Sequence, residues 1–267
     1  MTAIRDSVTE EAPVQEGTAK RGFLYPGMVL PFCLLVSCFA AWGLAGNMTD
    51  PLVKVFRSVF SMTNLQSSLV QSAYYGAYFC LAIPAAFINS RLGYKGGVLI
   101  GLVLAGTGGL LFIPAAYVMT YSVFLTALFT LAAGLSILET SANPFVMSMG
   151  PEHNATRRLN FAQAFNPIGS NLGVLLAALL ILPKVNPATA EQRAAMSEEL
   201  KAVMGPYVAL GLLYLLLAFM IGRVKVVERQ MDAAAGDSGG PGRLMRLLRN
   251  KRYSFGVVAQ YFNVSAQ

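Results

Sequence analysis

Charged residues fall in short clusters along this chain, separated by long apolar runs. None lies between Arg21 and Asp50, Arg57 and Arg91, Lys95 and Glu139, Arg158 and Lys184, or Lys201 and Arg223. About 20 helical residues cross the ~30 Å hydrocarbon core of a bilayer. Each gap fits one crossing, and the gap after Lys95 fits most of two. The runs are too long and too evenly apolar for barrel strands, and an open strand edge finds no partners in lipid. The pattern predicts an all-α membrane protein with six transmembrane helices, at roughly 28–50, 65–90, 96–118, 122–149, 159–182 and 205–222. A tight turn at 115–121 precedes the fourth.

Composition agrees with this pattern. Only 12% of residues are charged, 55% are apolar and the mean hydropathy is +0.55; soluble domains carry about 25% charge. The net charge of +7 reads as a topology signal. With the amino terminus in the cytoplasm, fifteen of the 20 Lys and Arg residues fall on the cytoplasmic side. The other side holds Lys54, Arg57, Lys184, Arg193 and Lys201. Cytoplasmic loops are enriched in Lys and Arg. The bias supports an even number of crossings and a multi-pass protein of the cell (inner or plasma) membrane. A nucleic-acid partner would need a basic face on a soluble surface, which this pattern does not offer.

Other chemistry is sparse. Cys33, Cys38 and Cys80 lie inside apolar runs, His153 is the single histidine, and no Cys/His cluster suggests a metal. No Gly-rich phosphate loop and no nucleophile–base pair is visible, so neither an enzyme nor a bound cofactor is expected. Residues 1–24 are polar and contain Pro13 and Gly17, as in a disordered cytoplasmic tail. Residues 25–224 form the six-helix bundle. Residues 225–252 form a basic cytoplasmic linker with Gly-Gly-Pro-Gly at 239–242. Its stretch 243–252 reads either as a helix on the anionic inner leaflet or as a solvated linker. From 253 to 267 the chain is apolar again but too short to cross a bilayer. This reads as the truncated start of a seventh helix in an incomplete sequence.

Two acids break the pattern. Of the 13 Asp and Glu residues, only Asp50, near the end of the first crossing, and Glu139, deep in the fourth, lie inside apolar runs. A charge at the membrane centre costs roughly 2.5–3.5 kcal/mol on insertion scales, so such residues are rare and usually functional. Burial favours the neutral form of a carboxylic acid, which lets it load and release a proton near neutral pH. No Lys or Arg lies within the crossings to neutralise either acid. The proton is therefore the expected coupling ion. The bland reading of Glu139 is an acid that locks helices together; Asp50, next to Pro51, also fits the interface.

Polar side chains recur at helical spacing around these acids. Ser136, Glu139 and Asn143 share a face of the fourth crossing, and Pro144 frees a carbonyl there. Trp42, Asn47 and Asp50 share a broad face of the first. Gln71, Tyr75 and Tyr78 share one on the second, and Asn160, Gln163, Asn166 and Ser170 one on the fifth. In lipid such groups must face protein or water. A cavity lined by amides and aromatic rings suits a neutral solute with many hydroxyls. The alternative for any one residue is interhelical bonding, and Gly169 and Gly173 read as a close-packing pair. The first and fourth crossings share an acid, an Asn and a following Pro, and the second and fifth both open with amides. This suggests two inverted three-helix repeats.

Several motifs carry a family resemblance. They are Leu138-Glu139-Thr140-Ser141-Ala142-Asn143-Pro144-Phe145, then Gly150-Pro151-Glu152, and Leu159-Asn160-Phe161-Ala162-Gln163-Ala164-Phe165-Asn166. With Gln71-Ser72-Ala73-Tyr74-Tyr75-Gly76, Tyr94-Lys95-Gly96-Gly97 and the Asn47–Asp50 spacing, they resemble the fucose–galactose–glucose:proton symporters of the major facilitator superfamily. The likeness runs from about Pro31 to Gln267 and covers the amino-terminal half of that family's fold. It implies proton–monosaccharide symport by alternating access. It places proton coupling on Asp50 and Glu139, and sugar contact on Trp42, Asn47, Gln163 and Asn166. The stripes add Asn143, Gln71 and Tyr75. The expected partners are a monosaccharide, a proton, the bilayer, and a carboxy-terminal six-helix half or a homodimer partner. Asn89-Ser90-Arg91 departs from the acid that the superfamily usually carries there. A proton-independent facilitator and a non-transporting sugar sensor or half-transporter are the rival readings.

Overall fold

The computed structural model describes residues 22–59, 63–118, 120–181 and 192–224, with short pieces at 249–251, 254–256 and 258–259. Every regular element among them is helical, the arrangement that satisfies backbone groups within lipid. In chain order these are α1 (Val29–Val59), α2 (Asn64–Leu110), α3 (Phe112–Val118) and α4 (Tyr121–Ser148). After a 3-10 turn at Glu152–Asn154 come α5 (Ala155–Gln163), α6 (Phe165–Leu176), a π turn at Ala177–Ile181 and α7 (Gln192–Arg223). Five stretches are long and apolar enough to cross a membrane: Val29–Met48, Asn64–Val118, Tyr121–Ser148, Glu152–Leu180 and Met204–Arg223.

The second stretch covers the ranges expected for both the second and the third crossing. Straight, the 47 residues of α2 would extend about 70 Å, more than twice the hydrocarbon core. Gly93 breaks the helix with φ 71° and ψ 172°, a conformation open essentially to glycine alone. The chain thus reverses at one residue rather than through a loop. The start of α2 is fixed by a capping box. The Thr63 hydroxyl accepts from the Gln66 N–H at 3.3 Å, and the Gln66 side chain accepts from the Thr63 N–H at 3.0 Å.

Other boundaries move. The helix of the first crossing continues past Asp50 to Val59. The turn expected at 115–121 is shorter, because α3 runs to Val118 and α4 starts at Tyr121. The fifth crossing starts at Ala155 and is interrupted at Ala164, between α5 and α6. Pro167 has no N–H for the Gln163 carbonyl four residues earlier, so the break falls just before it. The helix of the sixth crossing begins well before residue 205, at Gln192. Where the chain enters α1, Tyr25 N–H donates to the Met149 carbonyl at 3.0 Å and the Phe23 carbonyl accepts from Arg158 at 3.1 Å. Residues 1–21, most of the linker and most of 253–267 lie outside the described residues.

Helix pairing positions the polar stripes. α1 packs along α6, and α2 packs on α4 and α7. A Cβ on Gly169 would overlap the Ala40 carbonyl, and one on Gly43 the Asn166 carbonyl. The α1 and α6 backbones therefore touch, as the small-residue spacing predicts. α4 is central, with Leu131–Leu138 buried throughout. α7 is bonded to α1 by two buried tyrosines: Tyr207 donates to the Met48 carbonyl at 2.6 Å and Tyr214 to the Ala41 carbonyl at 2.8 Å. Lys95, just after Gly93, donates to the Val224 carbonyl at 2.7 Å and ties that turn to the end of α7. The outer surface is apolar, with Phe79 85% and Ile83 77% exposed.

Candidate functional site

α1 and α4 line a small, half-open cavity. Cys38, Phe39 and Trp42 line it from α1, and Leu138, Glu139 and Ala142 from α4. Its volume is about 10 Å³, room for about one water and far short of a sugar. Glu139 is half-buried in this wall. The basic side chains nearest the crossings are engaged elsewhere. Arg158 donates to backbone carbonyls, Lys95 to Val224, and Arg91 and Arg223 lie over the rings of Phe87 and Phe219. Among the described residues, no cation pairs with the Glu139 carboxyl. Ionised, it carries an uncompensated charge in an apolar wall. Protonated, it offers an O–H donor and an acceptor oxygen.

Trp42 is held by α2. Its Nε1–H donates to the Tyr78 hydroxyl at 2.9 Å, and the Tyr74 ring lies 5.5 Å from that of Tyr78. Ser136 on α4 donates to the Tyr78 carbonyl at 3.3 Å. Three helices are thereby joined at the level of the cavity, and the indole is oriented by a hydrogen bond rather than by packing alone.

A second polar group lies on α5 and α6. Gln163 donates to the Asn143 side-chain carbonyl at 3.2 Å, bridging α5 to α4. The bond leaves the Gln163 carbonyl and the Asn143 N–H groups for a solute. Asn166 donates to the Phe39 carbonyl at 3.4 Å and Ser170 to the Gly43 carbonyl at 3.4 Å, both across the close α1–α6 contact. Asn47 is exposed and donates back to the Gly43 carbonyl on its own helix at 3.1 Å.

The structure thus brings Trp42, Glu139, Asn143, Gln163 and Asn166 onto neighbouring faces of α1, α4, α5 and α6, with Asn47 at their edge. It does not bring Gln71 or Tyr75 to the cavity; both are exposed on α2, Tyr75 by 67%. Asp50 lies in α1, and its side chain falls outside the described residues. Tyr78, placed on one face with Tyr75 by spacing, turns inward with Tyr74. The aromatic pair at i, i+4 was the available signal for that face. Cys38 and Phe39 gave none, being apolar residues in an apolar run. Asn89, at the position of the superfamily's missing acid, accepts from the Ser141 hydroxyl at 2.7 Å and donates to the Thr140 carbonyl at 3.3 Å. It locks α2 to α4 without a charge.

Comparison with known proteins agrees with this architecture. Residues 32–265 match the Major Facilitator Superfamily model. The chain is 38% identical over 253 residues to the L-fucose-proton symporter of Haemophilus influenzae, covering 90% of this chain and 59% of that protein. It is 40% identical over 250 residues to that of Escherichia coli, covering 90% and 57%. A glucose/galactose transporter of Brucella abortus is 37% identical over 201 residues, covering 75% and 47%. The chain therefore spans a little over half the length of the curated fucose symporters it matches. A crystal structure of a Major Facilitator Superfamily transporter, FucP, in the outward conformation superposes with a TM-score of 0.74 at 37% identity, covering 88% of this chain and 59% of that one. The family match and these likenesses place the chain in the Major Facilitator Superfamily of multi-pass membrane transporters.

Proposed function

We propose that this chain forms the amino-terminal half of a proton-coupled monosaccharide symporter working by alternating access. Six crossings, the second and third folded back at Gly93, form two inverted triples with the amino terminus in the cytoplasm. Glu139 carries the proton, with Asp50 as the second acid of the relay. Trp42, Asn47, Asn143, Gln163 and Asn166 contact the sugar, the amides trading hydrogen bonds with its hydroxyls and the indole stacking on its C–H face. A carboxy-terminal half supplies the opposing wall, from further sequence, a separate chain or a second copy, in that order of preference. The names of the relatives support a sugar of the fucose, galactose or glucose type.

One observation carries the reading: Glu139 and the hydrogen-bonded Trp42 share a cavity between α1 and α4, and among the described residues no cation neutralises the acid. An acid so placed can take a proton in from one side of the membrane and give it up on the other. The test is sugar-induced alkalinisation of the medium around cells making the full-length transporter. Glu139→Gln abolishes the alkalinisation while sugar exchange down its gradient persists. Unchanged proton uptake in that variant overturns the coupling role. Sugar accumulation against its gradient separates a symporter from a facilitator, and sugar binding without exchange would identify a sensor.

A further inference from the structure

Arg158 is fully buried, and the reading above gives it no task. It stands in α5, just after the turn that leaves α4. A guanidinium has five N–H donors in a fixed planar fork, and here all five are used. Nε donates to the Val146 carbonyl at 3.3 Å. One terminal nitrogen donates to Phe23 at 3.1 Å and Pro151 at 2.9 Å. The other donates to Gly150 at 2.9 Å and to Met147. Every acceptor is a backbone carbonyl, and no carboxylate takes part.

These carbonyls belong to three segments. Val146 and Met147 end α4, where the last carbonyls lack helical donors and a cation suits the helix dipole. Gly150 and Pro151 form the turn into α5. Phe23 belongs to the chain entering α1, and its ring meets Phe32 of α1 and Phe161 of α5 edge-on at 5.8 and 6.2 Å. The same three helices carry the site: Trp42 on α1, Glu139 and Asn143 on α4, Gln163 on α5. Gln163 is five residues, or about 7.5 Å of helix, beyond Arg158. Its bond to Asn143 crosses the pair of helices that Arg158 clamps.

We propose that Arg158 is a positioning residue that sets the register of α4 against α5, and with it the Asn143–Gln163 pair, while anchoring the entry to α1 on the same group. The consequence for sugar rests on the function proposed above; the clamp itself does not. Lysine keeps the charge but offers three donors from one point, so it cannot reach three segments at once. If charge alone matters, for topology or for lipid headgroups, Arg158→Lys is silent.

The test uses the full-length transporter in liposomes, with its own cysteines replaced and spin labels at Pro26→Cys and Thr156→Cys. The label distance distribution is narrow in the parent and with Arg157→Lys, the exposed neighbour, and broadens with Arg158→Lys. Sugar KM rises about tenfold in Arg158→Lys while the maximal rate changes less than about threefold, as expected for misplaced binding groups. Phe23→Ala keeps the carbonyl and loses the ring, so its distribution stays narrow; this arm decides the anchor should Arg158→Lys fail to fold. An unchanged distribution in Arg158→Lys, or a broad one in Phe23→Ala, overturns the clamp whatever the sugar does. A broad distribution with unchanged KM overturns the positioning role. Absence of sugar transport in the parent counts against the proposed function and leaves the label result standing.

Discussion

The Trp42 indole donates its N–H to the hydroxyl of Tyr78 at 2.9 Å, joining α1 to α2 beside the cavity that holds Glu139. Trp42 is the only tryptophan of the chain. Tyr78→Phe removes the acceptor and leaves a half-buried N–H without its partner, a loss of about 1–3 kcal/mol. The expected outcome is a lower unfolding temperature and a shifted indole emission in this chain purified in detergent. An emission spectrum identical to the parent would show that the bond does not orient the ring.

Glu139→Gln keeps the shape of the side chain and removes its proton chemistry. The proposed coupling predicts that in the parent uptake from outside quickens as external pH falls, because proton binding would drive the cycle. The variant loses that dependence while exchanging sugar at a rate within about tenfold of the parent. Initial rates across a pH series check this, and a retained acid stimulation would move the coupling to another group.

At the α1–α6 contact, Gly169→Val places atoms where the Ala40 carbonyl already stands. The helices must separate, and the expected loss is about 1–3 kcal/mol or more of bundle stability. Thermal unfolding in detergent reads it. Because Asn166 and Ser170 bond across the same contact, the proposed sugar site predicts a fall in sugar affinity as well.

Gly93→Ala tests the reversal inside α2. A side chain at φ 71° and ψ 172° costs about 1–3 kcal/mol. The variant should unfold several degrees earlier, whereas Gly76→Ala, helical and in open space, should match or exceed the parent.

The chain of apolar gaps made the helices legible, because lipid imposes length and polarity on every crossing alike. Glu139 stood out for the same reason, as the one acid deep within such a gap. Asn143 and Gln163 could be placed on faces of their own helices, but not against each other, since spacing along one helix says nothing about which neighbour it meets. Tyr75 and Tyr78 show the cost: one stripe by spacing, yet one ring points out and the other in. By sequence alone Arg158 is an ordinary charge between two apolar runs. Its partners are carbonyls, which every residue carries, so nothing in the sequence marks them. Tyr207 and Tyr214 were hidden likewise, as ordinary members of an apolar run whose acceptors are backbone atoms.

The Lys95 bond to the last carbonyl of the bundle has a mechanical meaning. The end of α7 is thereby fastened to the turn beside Gly93. Tension on the end of α7 is shared between α7 and both arms of α2 instead of peeling α7 away alone. A pull on the end of α7 therefore reaches the bundle along three helical segments.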